Sequence, residues 1–165
     1  MPTISSRFAV AVHVLAYMTW RRSEPVTSER VAASVNTNPV VVRRILGALR
    51  NAGMVTAQPG VGGGAQLACE PERISLLDVY RAVEGDALFA LHAQPPCRAC
   101  DVGGNIQGVL QGVFSRASAA MEAELDRVTI RDVFESVAER VRREHCPQAR
   151  EAAAAGAGAG MRGEA

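Results

Sequence analysis

Apolar residues recur at helical spacing in two short stretches that follow one another between residues 26 and 53. The first stretch begins at Thr27 or Ser28, whose side chains can accept the free N–H groups of a first helical turn. It continues through Val31, Ala32 and Val35, and the polar pair after Val35 ends it. The pattern predicts a helix of about two turns.

The second stretch begins with Asn38 as a helix N-cap and Pro39 at the first helical position, where the missing N–H costs nothing. Gly53 ends it as a left-handed cap. Its inward positions, three or four residues apart, are Val42, Ile45, Leu46 and Leu49. The residues left for the outer face or its edges are Val40, Val41, Arg43, Arg44 and Arg50.

A hairpin follows the second helix. Residues 54–57 and 65–67 have the character of short strands, and the glycine-rich segment 59–64 between them can form a tight turn. Two short helices joined by a tight turn, followed by a hairpin, form a winged helix-turn-helix, which is a DNA-reading shape. The alternative is a helix pair used only for protein contacts.

The charge distribution favours the DNA interpretation. Residues 1–69 hold seven arginines and two glutamates, a net charge of +5, whereas the remainder of the chain has a net charge of −4. A basic half that coincides with the helix-turn-helix is suited to facing phosphates. The chain contains no lysine, so the glycines at 60–64 do not belong to a nucleotide-binding P-loop.

The N-terminal segment is predicted to be a helix beneath the helix-turn-helix rather than a signal peptide. Arg7 and His13 interrupt its apolar character, and no cleavage site follows. The chain has no run of 18 uncharged apolar residues, which argues against a membrane span and for a cytoplasmic location. The cysteines are then expected to be thiols or ligands. The face expected to be buried comprises Phe8, Val12, Leu15, Ala16 and Thr19.

The C-terminal half predicts three further helices. Ser75 and Asp78 form a capping box for a short helix, and Thr129 and Asp132 form another for the last one. Between these two, periodicity is lost over residues 86–104, and a long amphipathic helix is predicted from Asn105. We expect the apolar stripe of this helix to form a homodimer interface; the alternative is that it packs only on its own chain. The stripe comprises Ile106, Val109, Leu110, Val113, Phe114, Ala117 and Met121.

The predicted fold is therefore mainly α, a winged helix-turn-helix with a two-stranded β wing and a long C-terminal dimerisation helix. The expected organisation is a DNA-binding domain at 1–85, a sensor-type loop at 86–104, dimerisation helices at 105–146, and a disordered Ala/Gly-rich tail at 147–165.

Six separate motifs carry a family resemblance: SSRFA at 5–9, VVVRRILGALRNAGMV at 40–55, GVGGGAQLA at 60–68, ISLLDV at 74–79, CDVGGNI at 100–106 and LDRVTIRDV at 125–133. Together they resemble the Rrf-two family of bacterial transcription regulators, which includes an iron–sulfur cluster regulator, a nitrite-sensitive repressor and a cysteine-metabolism repressor. The resemblance spans residues 3 to about 144.

The resemblance implies a dimeric repressor whose second helix enters the major groove and whose wing tip lies near the minor groove. A guanidinium can pair bidentately with a guanine edge or hold a phosphate, so the arginines suit such a role. The candidate DNA contacts are Ser28, Asn38, Val40, Val41, Arg43, Arg44, Arg50, Gly60, Gly62 and Gly63.

The cysteines leave the signal open. Cluster-binding members of the family supply three cysteines before the long helix, whereas this chain has only Cys97 and Cys100 there, with His92 as a candidate nitrogen ligand. Cys69 or Cys146 could complete a site only if folding or a partner chain brought them close. An iron–sulfur cluster is therefore one candidate with an incomplete pattern, beside a thiol redox switch, a soft-metal site, unreactive cysteines or a small-molecule effector.

The sequence thus predicts a sequence-specific transcriptional regulator, a homodimeric repressor that binds a palindromic operator in double-stranded DNA and responds to a redox, nitrosative or metal signal. Enzymatic catalysis is disfavoured, because a C-x-x-C pair in a proline-rich loop lacks the strand and helix order of thioredoxin-like enzymes. The alternative function is a thiol- or metal-handling protein, with iron–sulfur or zinc chemistry, whose helix-turn-helix is a scaffold for protein contacts.

Overall fold

The computed structural model describes residues 6–22, 24–60, 62–84 and 89–145. Within them the chain forms six α-helices and one antiparallel hairpin. Their bounds are α1 Arg7–Trp20, α2 Ser28–Val35, α3 Pro39–Asn51, β1 Val55–Gln58, β2 Gly64–Leu67, α4 Leu76–Val83, α5 Asp101–Arg127 and α6 Ile130–His145. The mainly helical winged architecture is confirmed, and the expectations for Cys146 and the tail lie outside the described residues.

Local capping fixes where the helices of the helix-turn-helix begin and end. Thr27 accepts a hydrogen bond from the Arg30 N–H at the start of α2, and Asn36 ends that helix with a left-handed φ of 57°. Asn38 Oδ1 accepts from the Val40 N–H at 2.8 Å, with Pro39 in the first turn of α3. Each of these signals was readable from the sequence, because a cap involves only three or four neighbouring residues.

The wing is a hairpin held against the start of α2. Strands β1 and β2 pair in register from Val55 opposite Leu67 to Gln58 opposite Gly64. Val26 extends this pairing, since its N–H donates to the Ala65 carbonyl at 2.9 Å and its carbonyl accepts from the Ala65 N–H at 2.8 Å. A Cβ at position 64 would lie 2.6 Å from the Val26 carbonyl oxygen, so the close approach requires glycine there.

One hydrophobic core joins the winged helix to the last helix. Leu15 of α1, Leu49 of α3 and Ile130 of α6 are fully buried in the same cluster. The connection before α6 pairs with the segment before α4, because the Leu76 N–H donates to the Val128 carbonyl and the Ile130 N–H donates to the Ile74 carbonyl. Helix α6 is therefore built into the core beneath the recognition elements.

The buried face of α1 differs from the predicted one. Leu15 and Thr19 are buried as expected, but Phe8, Val12 and Ala16 are only half-buried, and Ala11, Val14 and Met18 are buried instead. The reason is that α1 packs on two sides. One side meets the winged-helix core, and the other meets α6, where the Trp20 and Phe134 rings lie 5.8 Å apart.

The long helix begins earlier than predicted. It starts at Asp101 rather than Asn105, with Cys100 as its N-cap residue. The prediction placed this turn in the loop because the apolar periodicity is lost up to Gly104, which a first helical turn containing two glycines does not restore. In the structure a Cβ on Gly103 would overlap the backbone of Cys97, so glycine is required by the packing of the preceding turn against the helix.

Candidate nucleic-acid interface

The outer surface of α3 carries both apolar and cationic side chains. Val40 and Val41 are 46% and 39% exposed, although a branched apolar side chain is usually buried. Arg43 and Arg44 are exposed in the next turn. Val42, Ile45 and Leu49 are buried on the opposite side, so α3 has a clear inner and outer face. The sequence predicted this division correctly.

Arg43 is held by two side chains of α2. Its Nε donates to Ser28 Oγ at 3.2 Å, and its Nη2 donates to Glu29 Oε1 at 2.9 Å. Ser28 Oγ also donates to Glu29 Oε1 at 3.0 Å. The hydrogen bond from Arg43, assisted by a backbone N–H and by Ser28, lowers the pKa of Glu29 from 4.5 to about 2. These two hydrogen bonds orient the guanidinium towards α2.

Glu29 is the participant in this network that the sequence analysis missed. It lies fourteen residues from Arg43 in the sequence. A contact between two helices at this separation leaves no periodic signal in either one. Ser28, in contrast, was named among the candidate contacts and is found beside Arg43.

A cleft lies between α3 and the wing, and Ser28, Arg43 and Arg50 all line it. Thr56 of β1 and Gly47 of α3 complete this surface. Among the described residues, neither Arg44 nor Arg50 forms an ion pair, so both guanidinium groups are available to an anion. The fold therefore places Ser28 beside cationic side chains that lie up to twenty-two residues away from it in the sequence.

The wing tip is a turn built on glycine. Gly60 and Gly62 have φ values of 105° and 79°, which residues with a side chain rarely adopt. The Gly63 N–H donates to the Gly60 carbonyl at 3.0 Å, and a Cβ on Gly63 would overlap the Gln58 carbonyl oxygen. Turn geometry alone accounts for these glycines, so their contact with DNA stays a prediction.

The described residues do not assemble a metal site. Cys97, Cys100 and His92 are all exposed, and no group of three His, Cys, Asp or Glu side chains in the described part of the chain could hold a metal ion. An iron–sulfur cluster takes four protein ligands. The donor set that the structure describes does not fit a cluster, and Cys97 and Cys100 remain a pair of thiols.

Helix α5 presents the apolar stripe that the sequence predicted. None of its residues is fully buried within the protomer. Val109 and Val113 are 63% and 44% exposed, and Val102, which was not predicted, is 68% exposed. Phe114 differs from these, because its ring stacks on Phe89 with centroids 4.8 Å apart. No helix among the described residues is long and apolar enough to cross a membrane.

These features define a winged-helix DNA-binding protein, and comparison with known proteins gives its family. The family profile Rrf2, described as an iron-dependent transcriptional regulator, matches residues 4–136. The chain belongs to the Rrf2 family, which is the Rrf-two family of the motif resemblance. It is therefore a DNA-binding transcriptional regulator by family, as the sequence predicted.

Individual relatives agree. The chain is 46% identical over 132 residues to the HTH-type transcriptional regulator YwnA of Bacillus subtilis (strain 168), covering 79% of this chain and 96% of YwnA. Among solved structures, IscR of T. potens has a TM-score of 0.63 at 22% identity, covering 82% of this chain and 88% of that one. CymR, the global cysteine regulator of B. subtilis, also has a TM-score of 0.63 at 22% identity, covering 82% and 98%. The two structures at 22% identity show the shared fold. The family and YwnA are described as transcriptional regulators, which agrees with the prediction of a regulator rather than an enzyme.

Proposed function

We propose that this chain is a cytoplasmic, homodimeric repressor that inserts α3 into the major groove of a palindromic operator. The observation that carries the proposal is the outer face of α3, where Val40 and Val41 are exposed beside Arg43 and Arg44. A surface that combines exposed branched apolar groups with guanidinium groups matches base edges in a groove. The valines suit thymine methyl groups, and the arginines suit guanine or phosphate.

The cleft beside α3 supports the same placement. Ser28, Arg43 and Arg50 face one space between α3 and the wing. If α3 occupies the major groove, this space receives the phosphate backbone that borders the groove. Arginine, serine and backbone N–H groups are the usual phosphate contacts. The wing tip at Gly60, Gly62 and Gly63 then lies near the adjacent minor groove, and Asn38 lies at the end of α3 nearest the duplex.

The dimer in this proposal forms through α5. Its exposed side chains at Val102, Val109 and Val113 lie seven and four residues apart along one side of the helix, and Ile106, between Val102 and Val109, continues that side. Leu110, Ala117 and Met121 border it. A two-fold dimer would place two copies of α3 about 34 to 36 Å apart, which is one turn of the duplex. This spacing makes a palindromic operator the matching DNA.

The signal enters, in this proposal, through the segment that contains His92, Cys97 and Cys100. Of the redox, nitrosative and metal signals considered, the structure favours thiol chemistry, since two exposed thiols adjoin α5 and the described side chains offer no three-ligand metal group. Thiol oxidation and nitrosation both need an accessible thiolate, and this segment provides accessible sulfur atoms.

The test is a double substitution on the outer face of α3. Arg43→Ala with Arg44→Ala should reduce operator affinity by about 2 kcal/mol or more, because each lost base or phosphate contact is worth about 1 to 3 kcal/mol. The matched control is Arg127→Ala with Arg143→Ala, which removes the same charge from exposed positions on α5 and α6. Equal affinity of the two double variants at fixed salt would overturn the proposal and favour a helix pair that serves only protein contacts.

A further inference from the structure

Two cysteines lie in one backbone turn at the beginning of the long helix. Cys100 is the N-cap residue of α5, and its N–H donates to the Cys97 carbonyl at 3.3 Å. This hydrogen bond closes a four-residue turn, which brings the two Cα atoms within about 7 Å of each other. A disulfide needs Cα atoms about 4.4 to 6.8 Å apart. Both residues are exposed, so an oxidant can reach them.

The first turn of α5 is shaped to hold Cys97 in place. A Cβ on Gly103 would overlap the Cys97 carbonyl oxygen, and a Cβ on Gly104 would lie 3.1 Å from the Arg98 carbonyl oxygen. Glycine is a poor helix former, so two consecutive glycines in a first helical turn do not favour the helix by themselves. They permit the backbone of 97–98 to lie directly against the helix, next to Cys100.

The two sulfur atoms are not equivalent. Cys100 stands at the N-terminus of a 27-residue helix, where free N–H groups and the helix dipole favour a negative charge. The nearby backbone N–H groups of Gly103, and then of Val102, lower the pKa of Cys100. Thiolate, not thiol, is the nucleophile towards oxidants. Cys97 precedes the helix and is not its N-cap residue.

Resting on the proposed function, we infer that Cys100 is the reactive thiolate of a two-cysteine redox site and that Cys97 is the resolving thiol. The oxidant class is a hydroperoxide, ROOH. The Cys100 sulfur attacks the terminal peroxide oxygen, the O–O bond breaks, and ROH leaves with Cys100 as a sulfenic acid. The Cys97 sulfur then attacks the Cys100 sulfur and releases water. In total, two thiols and ROOH give one disulfide, ROH and water.

The site is connected to the elements of the proposed DNA surface. Phe89 stacks on Phe114, so the segment that leads to Cys97 lies against α5 at its middle as well as at its start. Further along α5, Glu122 accepts a hydrogen bond from Arg81 of α4 at 2.7 Å. Helix α4 packs against α1 and α3. A disulfide that changes the turn before α5 therefore acts on a continuous path to the recognition helix, and operator affinity decreases.

The chemistry is tested without DNA on the reduced, full-length protein. Hydrogen peroxide is added, and peptide mapping by mass spectrometry follows the peptide that contains Cys97 and Cys100. The wild type should lose two hydrogens. Cys97→Ser should stop at a sulfenic acid on Cys100 that dimedone traps, and Cys100→Ser should react about tenfold more slowly. Cys69, which is half-buried, serves as the internal comparison. Dimedone labelling on Cys97, or absence of the disulfide in the wild type, would overturn the assignment.

The effect of oxidation on DNA binding is tested by measuring operator affinity. Operator affinity of the wild type should decrease about fivefold or more on oxidation and return on reduction with dithiothreitol, within the usual range of coupling between two sites. The Cys97→Ser, Cys100→Ser variant should bind the operator like the reduced wild type and stay unchanged by peroxide. An unchanged affinity of the oxidised wild type would overturn the regulatory role. If the reduced wild type did not bind operator DNA at all, that result would instead contradict the proposed function.

Discussion

Arg43 of α3 donates a hydrogen bond from Nη2 to Oε1 of Glu29 on α2, with 2.9 Å between the two atoms. The pair lies at the edge of the proposed DNA surface, with both side chains exposed. A carboxylate beside a DNA-reading guanidinium has two physical effects. It orients the arginine, and it repels phosphate, so it should favour specific over non-specific DNA.

Glu29→Gln should therefore reduce the discrimination between operator and random DNA more than it reduces operator affinity. Without the carboxylate, non-specific DNA affinity should rise, and the ratio of specific to non-specific affinity should decrease about fivefold, the equivalent of about 1 kcal/mol. Titrations on operator and on random duplex at one salt concentration measure this ratio. The control is Glu24→Gln, which removes a nearby charge that pairs with Arg30 instead of Arg43. Equal ratios in the two variants would contradict the role of Glu29.

The same pair predicts how DNA binding depends on pH. The hydrogen bond from Arg43 lowers the pKa of Glu29 from 4.5 to about 2. A lowered carboxyl pKa means that the pair is complete above about pH 4.5 and is lost only as the pH decreases towards 2. Acidification from pH 8 to pH 5 should not release Arg43. A carbon-13 NMR titration of the Glu29 carboxyl group should give a pKa well below 4.5, and an ordinary value would show that the pair does not persist in solution.

Val109→Glu should yield a monomer that remains folded. Val109 is 63% exposed in the protomer, so the substitution disturbs no intrachain core, but in the proposed dimer it would bury an unpaired carboxylate at a cost of several kcal/mol. Gln111→Glu is the matched control, since Gln111 is exposed and lies on the side of α5 opposite Val109. Sedimentation velocity separates the two states. A dimeric Val109→Glu variant would place the interface elsewhere.

Gly47→Ala should stabilise the protein and weaken its binding to DNA. A Cβ at this position meets nothing within 4 Å, so the usual gain of about 0.5 to 1 kcal/mol for replacing a helical glycine should appear in urea unfolding. Gly47 also lines the cleft beside the wing, where a methyl group would hinder close approach of a duplex. Gly108→Ala on α5, also with nothing within 4 Å of a Cβ, should give the stability gain alone. Equal operator affinities of the two variants would argue against a DNA contact at Gly47.

Ile130→Ala should destabilise the whole winged helix, although the residue lies in the last helix. Ile130 is fully buried in the common core, and truncating such a residue costs about 2 to 5 kcal/mol. Trp20, the single tryptophan, lies 5.8 Å from Phe134 and reports on this region by fluorescence. Val137→Ala, at an exposed position of the same helix, should change stability by less than about 0.5 kcal/mol. A small effect of Ile130→Ala would mean that α6 is not part of the core.

The sequence by itself determined the features that depend on a few neighbouring residues. The caps at Thr27, Asn38 and Ser75, the left-handed residue Asn36 and the glycine turn of the wing each require only a donor, an acceptor or a φ value within one turn of chain. The inner and outer faces of α3 were equally readable, because a helix repeats every 3.6 residues. These features sufficed for the fold class, whereas the family was indicated by the resemblance of the six sequence motifs.

Tertiary structure alone decided which elements meet. Nothing in the pattern of α1 shows that α6 covers its second side, and nothing in α2 or α3 pairs Glu29 with Arg43. The lost periodicity up to Gly104 indicated a loop, yet α5 includes Gly103, where the close approach of the Cys97 backbone requires a glycine. In each case the cause is a contact between segments that are distant in sequence or that fold back on each other. Periodicity and helix propensity describe one segment at a time. Contacts between segments are therefore known only from the folded structure.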